Sequence, residues 1–186
     1  MRLRWFAVVI LAGLGVARAQ GPAAGQVVGG SYVNPYFGLT FTWPAMLHPV
    51  DLQTLHMPQS GSMSEYFLFG ARQGDDHFGM MLLAEKLHVT TQHKIGLRDG
   101  DDFLDRYLQA LDPEEPPRVL KRAHVAGADG RDYDELEYMD GYEFASAVTT
   151  EVGDFLVVYR CDAKTAADLA AMDGAVLATK IKTSAK

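Results

Sequence analysis

The chain has 186 residues, 24 acids against 17 lysines and arginines, a formal net charge of −7, and one cysteine. That balance excludes a nucleic-acid partner, whose phosphates demand a basic face, and the single Cys161 excludes an internal disulfide. Asn34 is the sole asparagine and precedes Pro35, so the chain carries no N-glycosylation acceptor.

Residues 1–19, MRLRWFAVVILAGLGVARA, read as a secretory signal peptide. Arg2 and Arg4 form the charged start, and residues 5–16 are apolar but too short to span a bilayer. Ala17 and Ala19 place small side chains where a signal peptidase reads, which predicts cleavage between Ala19 and Gln20. Cleavage would remove Arg2, Arg4 and Arg18 and no acid, taking the charge from −7 to −10 and leaving no membrane span. No cysteine lies near the cut to carry a lipid. The expected location is therefore periplasmic or secreted, and a mature chain of this size buries enough surface for one core.

Residues 20–30, QGPAAGQVVGG, offer little to anchor and read as a flexible leader, with a single domain over 31–186. Leu39, Phe41 and Trp43 alternate with threonines as a half-buried strand that Pro44 ends. Residues 44–64 contain Pro44, Pro49 and Pro58 and predict a long loop holding one short helix or strand. A hairpin follows, from an aromatic strand over 65–71 and a second strand over 77–87. The period changes at 99–111, where Phe103, Leu104, Tyr107, Leu108 and Leu111 recur as on a helix, with Asp99 and Asp101 at its start and prolines at its end.

Residues 118–126 and 131–139 flank the turn 127–130, and a turn centred on Ala128 and Asp129 puts Arg122 opposite Glu135. Residues 142–152 and 155–161 meet across Gly153-Asp154, which pairs Val152 with Phe155, Val148 with Tyr159 and Ser146 with Cys161. The thiol then shares the core-facing side with Phe155, Val157 and Tyr159. Residues 165–181 predict a closing helix, capped by Asp162 or Thr165, with Leu169, Met172, Val176 and Ile181 on or near one stripe. The fold class is α+β: an antiparallel sheet of about six to seven strands with two main helices packed on it.

This order of elements resembles the PsbP-like superfamily, which includes bacterial periplasmic DcrB-like proteins. The resemblance is carried by Tyr32, Asn34, Phe37-Gly38-Leu39, Phe41 and Pro44, by the helix over 101–111, and by the hairpin over 142–161 with the helix after it. It implies an accessory or binding module without catalysis or cofactor, here an exported protein with an unknown envelope protein or small ligand as partner.

The residues themselves show no G-x-S-x-G elbow, phosphate loop or H-E-x-x-H motif. A soft-metal site is the sharpest alternative: His56, Met57 and Met63 precede His77, Met80 and Met81, and imidazole with thioether suits Cu(I). Met80 and Met81 point to opposite strand faces, so one of them fills the core. Asp75, Asp76 and His77 form an acidic turn, and the acids from Asp129 to Glu143 form either a cation site or a solvated face. Tyr36, Phe37, Trp43 and the strand over 65–69 would either fill the core or line an apolar groove, and exposure of Tyr36, Trp43 and Tyr66 separates these readings. An enzyme built on Cys161 and a histidine ranks third.

Overall fold

A computed structural model describes residues 22, 25–51, 65–74, 78–90, 95–111 and 114–182. The described residues build two antiparallel sheets and two helices. The larger sheet has seven strands: β4 (His48–Pro49), β5 (Glu65–Arg72), β6 (Gly79–Lys86), β10 (Phe155–Ala163), β9 (Glu143–Val152), β8 (Asp132–Asp140) and β7 (Arg118–Ala126), in that spatial order. The smaller has four: β1 (Gln26–Val28), β2 (Ser31–Asn34), β3 (Leu39–Phe41) and β11 (Lys180–Ile181). Helix α1 (Gly100–Ala110) covers one face of the large sheet, and α2 (Ala166–Leu177) with the small sheet covers the other.

Strand β10 sets this division, because its side chains alternate. Val157, Tyr159 and Cys161 enter the main core with Phe41, Phe69, Leu169, Met172 and Val176, whereas Leu156 and Val158 enter a second cluster with Leu83 and Leu97. A third cluster joins Leu104 of α1 to Leu136, Tyr138 and Ala147. Each fully buried leucine or valine contributes roughly 1.5–3 kcal/mol, so the sheet is stabilised from both sides.

The three pairings expected across Gly153-Asp154 are present: Val152 with Phe155, Val148 with Tyr159, and Ser146 with Cys161. Other expectations need correction. Gln26–Val28, placed in the leader, forms an edge strand against β2, because backbone pairing does not require large side chains. The closing helix stops at Leu177, and Ile181 leaves the helical stripe to pair with Leu39 of β3. Its cap is Thr165, whose hydroxyl accepts the Asp168 amide. Tyr142 sits in the turn before β9 and is 94% exposed, because Gly141 at φ 59° supplies the left-handed residue that turns the chain. The short element expected within 44–64 is β4, while residues 52–64 lie outside the described residues.

Candidate functional site

Polar side chains gather in two rows, one on each face of the large sheet. On the α2 face, register aligns Lys121, Glu137, Ser146, Cys161 and Met80 across β7, β8, β9, β10 and β6. Helix α2 lowers Asp173 onto this row, where the Ser146 hydroxyl donates to Asp173 Oδ1 at 2.6 Å. Lys121 Nζ lies 2.7 Å from Glu135 Oε2 and 3.1 Å from Glu137 Oε1. One oxygen from each of Glu135, Glu137 and Asp173 falls within 4.8 Å of the others.

The cation for these acids is Lys121, whose ammonium is held in the charged form by the Glu135 bond first and the Glu137 bond after it. Burial pushes the Asp173 carboxyl up to about 6, opposed by the Ser146 bond and reinforced by Glu135 and Glu137. Cys161 is fully buried, and burial together with the Asp173 charge pushes its thiol well above the ordinary range. A thiol so placed is a packing group rather than a nucleophile. What this row can do is take up a proton near pH 6 beneath a docked helix.

On the α1 face, register aligns His124, Asp134 and Thr149 across β7, β8 and β9. Helix α1 is pinned over them by its first turns. Asp99 caps it by accepting the Asp102 amide at 2.8 Å. Asp102 accepts the Arg98 amide at 3.0 Å and the Arg106 guanidinium at 2.8 Å, and Arg106 also donates to the Ile95 and Gly96 carbonyls. Burial acts to raise the Asp102 pKa, but the Arg98 amide and Arg106 outweigh it and hold the carboxyl below its usual range. Arg122 then reaches up from β7 to Asp105 at 2.6 Å and Asp101 at 3.0 Å.

These ties bring the helix start so close that a Cβ at Gly100 would fall on Asp134 Oδ2 and Thr149 Oγ1. His124 Nδ1 contacts Asp134 Oδ1, and Nε2 lies 3.8 Å from Asp101 Oδ2. The Thr149 hydroxyl is fully buried and has no hydrogen-bond partner. Asp101, His124 and Asp134 each present one potential ligand atom within 4.8 Å of the other two.

No protein-family model matches the chain, and no curated protein matches it. Among solved structures it is similar to the solution structure of cyanobacterial PsbP (CyanoP) from Synechocystis sp. PCC 6803, at a TM-score of 0.57 and 15% identity. The match covers 91% of this chain and 99% of that one. The fold is PsbP-like. At this identity the likeness concerns architecture, so the chemistry of both rows rests on the residues of this chain.

Within the PsbP-like sheet, Met80 stands in the main core beside Cys161, and Met81 packs against the second cluster. His56, Met57, Met63, Asp75, Asp76 and His77 lie outside the described residues, as do Ala19 and Gln20. Trp43 stacks on Phe69 at 4.9 Å, while Tyr36 and Tyr66 set their rings edge-on to Phe155 at 5.8 and 5.9 Å. These rings fill space against the core, and Tyr36 remains 43% exposed.

Arg122 does not face Glu135. It pairs with Leu136, and Ala123 takes the place opposite Glu135. The hairpin turn holds one residue more than expected: Ala126 pairs with Asp132, Gly127 donates to the Arg131 carbonyl, and Gly130 adopts φ 78°. That single step sends Arg122 to α1 and leaves Lys121 to the glutamates. It also sets His124 opposite Asp134, a pair that only the true register reveals. The acids after Asp129 accordingly divide between the two faces. Asp129 itself accepts the Arg131 and Ile181 amides.

Proposed function

We propose that the protein is exported after cleavage before Gln20 and serves in the cell envelope as an accessory protein that binds another protein and performs no catalysis of its own. Kinship with periplasmic DcrB-like proteins belongs to this reading. Support comes from the PsbP-like architecture, from residues 1–19, and from the sealing of Cys161 beneath α2. The observation that carries it is β7. This nine-residue strand ends the large sheet and exposes Val119 and Leu120, as suits a partner that adds an extended segment to the edge.

The test is affinity capture from the envelope fraction with the chain beginning at Gln20, beside a variant carrying Val119→Asp and Leu120→Asp. Both positions are exposed, so the fold tolerates the change. The proposal expects one protein captured by the parent and lost by the variant. Equal capture by both removes β7 as the docking edge, and recovery of only a small molecule or metal overturns the protein-partner reading. A ligand-binding role is the second reading, favoured by the polar row under α1. The Cu(I) alternative belongs to His56, Met57, Met63, His77 and Met80 rather than to that row; competition with a chelator checks it, and binding weaker than micromolar ends it.

A further inference from the structure

We propose that α2 is a proton-controlled latch on the large sheet: it stays seated while Asp173 is protonated, and once Asp173 ionises it lifts more readily, baring Cys161 while the sheet stays folded. This goes beyond the docking role and depends on neither the partner nor export. Asp173 is the one charged residue among the four that α2 buries, the others being Leu169, Met172 and Val176.

The groups that face Asp173 come from four strands: Lys121 from β7, Glu135 and Glu137 from β8, the Ser146 hydroxyl from β9 and the Cys161 thiol from β10. The small sheet meets this core through the apolar Leu39, Phe41 and Ile181. Lys121 is already engaged, 2.7 Å from Glu135 and 3.1 Å from Glu137. An ionised Asp173 therefore brings a third carboxylate to one ammonium, in a place where the buried Glu135 leaves little water to screen the repulsion. Strands β7 and β8 are neighbours in the sheet, so lifting α2 removes Asp173 from the acids and leaves both Lys121 pairs intact. Movement of the helix relieves the charge without unfolding the sheet.

The outer face of α2 is exposed at Ala166, Ala167, Ala170, Ala171 and Gly174, so the helix is held from the sheet side. Past its end, the Ala128 amide donates to the Leu177 carbonyl at 2.7 Å, the Ile181 amide donates to Asp129 at 3.1 Å, and β11 adds two residues of pairing. These are the ties that break when residues 166–182 open as a unit. Seated, the Asp173 carboxyl is raised from 3.8 to about 6, and lifted into water it returns toward 3.8. The proton therefore favours the seated helix below pH 4, and that advantage is lost as pH rises through 6. Opening becomes roughly fiftyfold more frequent between pH 4 and pH 7.5. Cys161 lies in the core with Leu169, Met172 and Val176 and loses its cover when they leave.

Hydrogen exchange of the whole protein, read by mass spectrometry from pH 4 to 7.5 and corrected for intrinsic exchange, tests the latch. Peptides from α2 should be less protected than those from β9 and β10 at every pH, and should lose roughly fiftyfold in protection over the range. Asp173→Asn should hold α2 at its acid-state protection throughout, and Glu137→Gln, which removes one facing charge, should shrink the loss. Cys161 is the sole thiol, so its labelling reports one site. Normalised to the unfolded chain at the same pH, that labelling should rise in step with α2 exchange and depend only weakly on dilute urea, as a partial opening does. Equal protection of α2, β9 and β10 overturns the proposal, because α2 would then open only with the whole molecule. So does a wild-type loss that persists in Asp173→Asn, or normalised Cys161 labelling that does not change with pH.

Discussion

Asp173→Asn replaces a buried carboxylate by an amide of the same shape and separates the charge of Asp173 from its packing. The Ser146 hydroxyl can still donate to the side-chain oxygen, so the 2.6 Å bond survives. In the folded protein the Asp173 carboxyl is raised from 3.8 to about 6, burial being the main cause. A group raised in the folded state binds its proton more tightly there than in the unfolded chain. Its neutral form is therefore the stable one below pH 4, and stability is lost as pH rises through 6, becoming constant above. At 1.36 kcal/mol per pKa unit, the full cost of ionising it in place is roughly 3 kcal/mol. Urea unfolding of both proteins across pH 4 to 8 measures this. The variant should match wild type near pH 4 and exceed it by up to about 3 kcal/mol at pH 7.5. A difference that does not change with pH, or a variant less stable at pH 7.5, would refute the reasoning.

Asp102 behaves with the opposite sign. Its carboxyl is held below the usual range, so its contribution is present at neutral pH and lost on acidification through the folded pKa; Asp102→Asn should be less stable than wild type by about 1–3 kcal/mol at pH 7, with the gap closing in acid by chemical denaturation. Gly100→Ala drives a Cβ onto Asp134 and Thr149 and should lower stability by roughly 1–3 kcal/mol despite alanine's better helix propensity, as a thermal melt would show. Leu136→Ala opens a cavity between the sheet and α1 and should cost about 2–5 kcal/mol in the same assay. Cys161 should resist an aromatic disulfide reagent in the native protein and react fully in denaturant; fast native labelling would contradict its burial.

Where periodicity spans a whole element, the chain announces its structure plainly. Phe103, Leu104, Tyr107 and Leu108 mark α1, Asp99 marks its cap, and the two residues Gly153-Asp154 determine every pair between β9 and β10. Of the four-stranded sheet only β3 was legible, through Leu39 and Phe41; β1 and β11 are too short to show a period of two. The candidate sites were hidden for a related reason. Both rows assemble residues far apart in sequence, and their membership depends on register. A turn one residue longer than expected exchanged the roles of Lys121 and Arg122 and set His124 against Asp134. Burial of Asp173 and isolation of the Thr149 hydroxyl are properties of packing, and neither leaves a mark in local composition.

Export is the step on which the proposed envelope role depends, and intact mass spectrometry of the protein recovered from its host tests it most directly. The expected result is a chain that begins at Gln20 and is found outside the cytoplasm. A chain that retains Met1 and residues 2–19 and stays in the cytoplasm would contradict it.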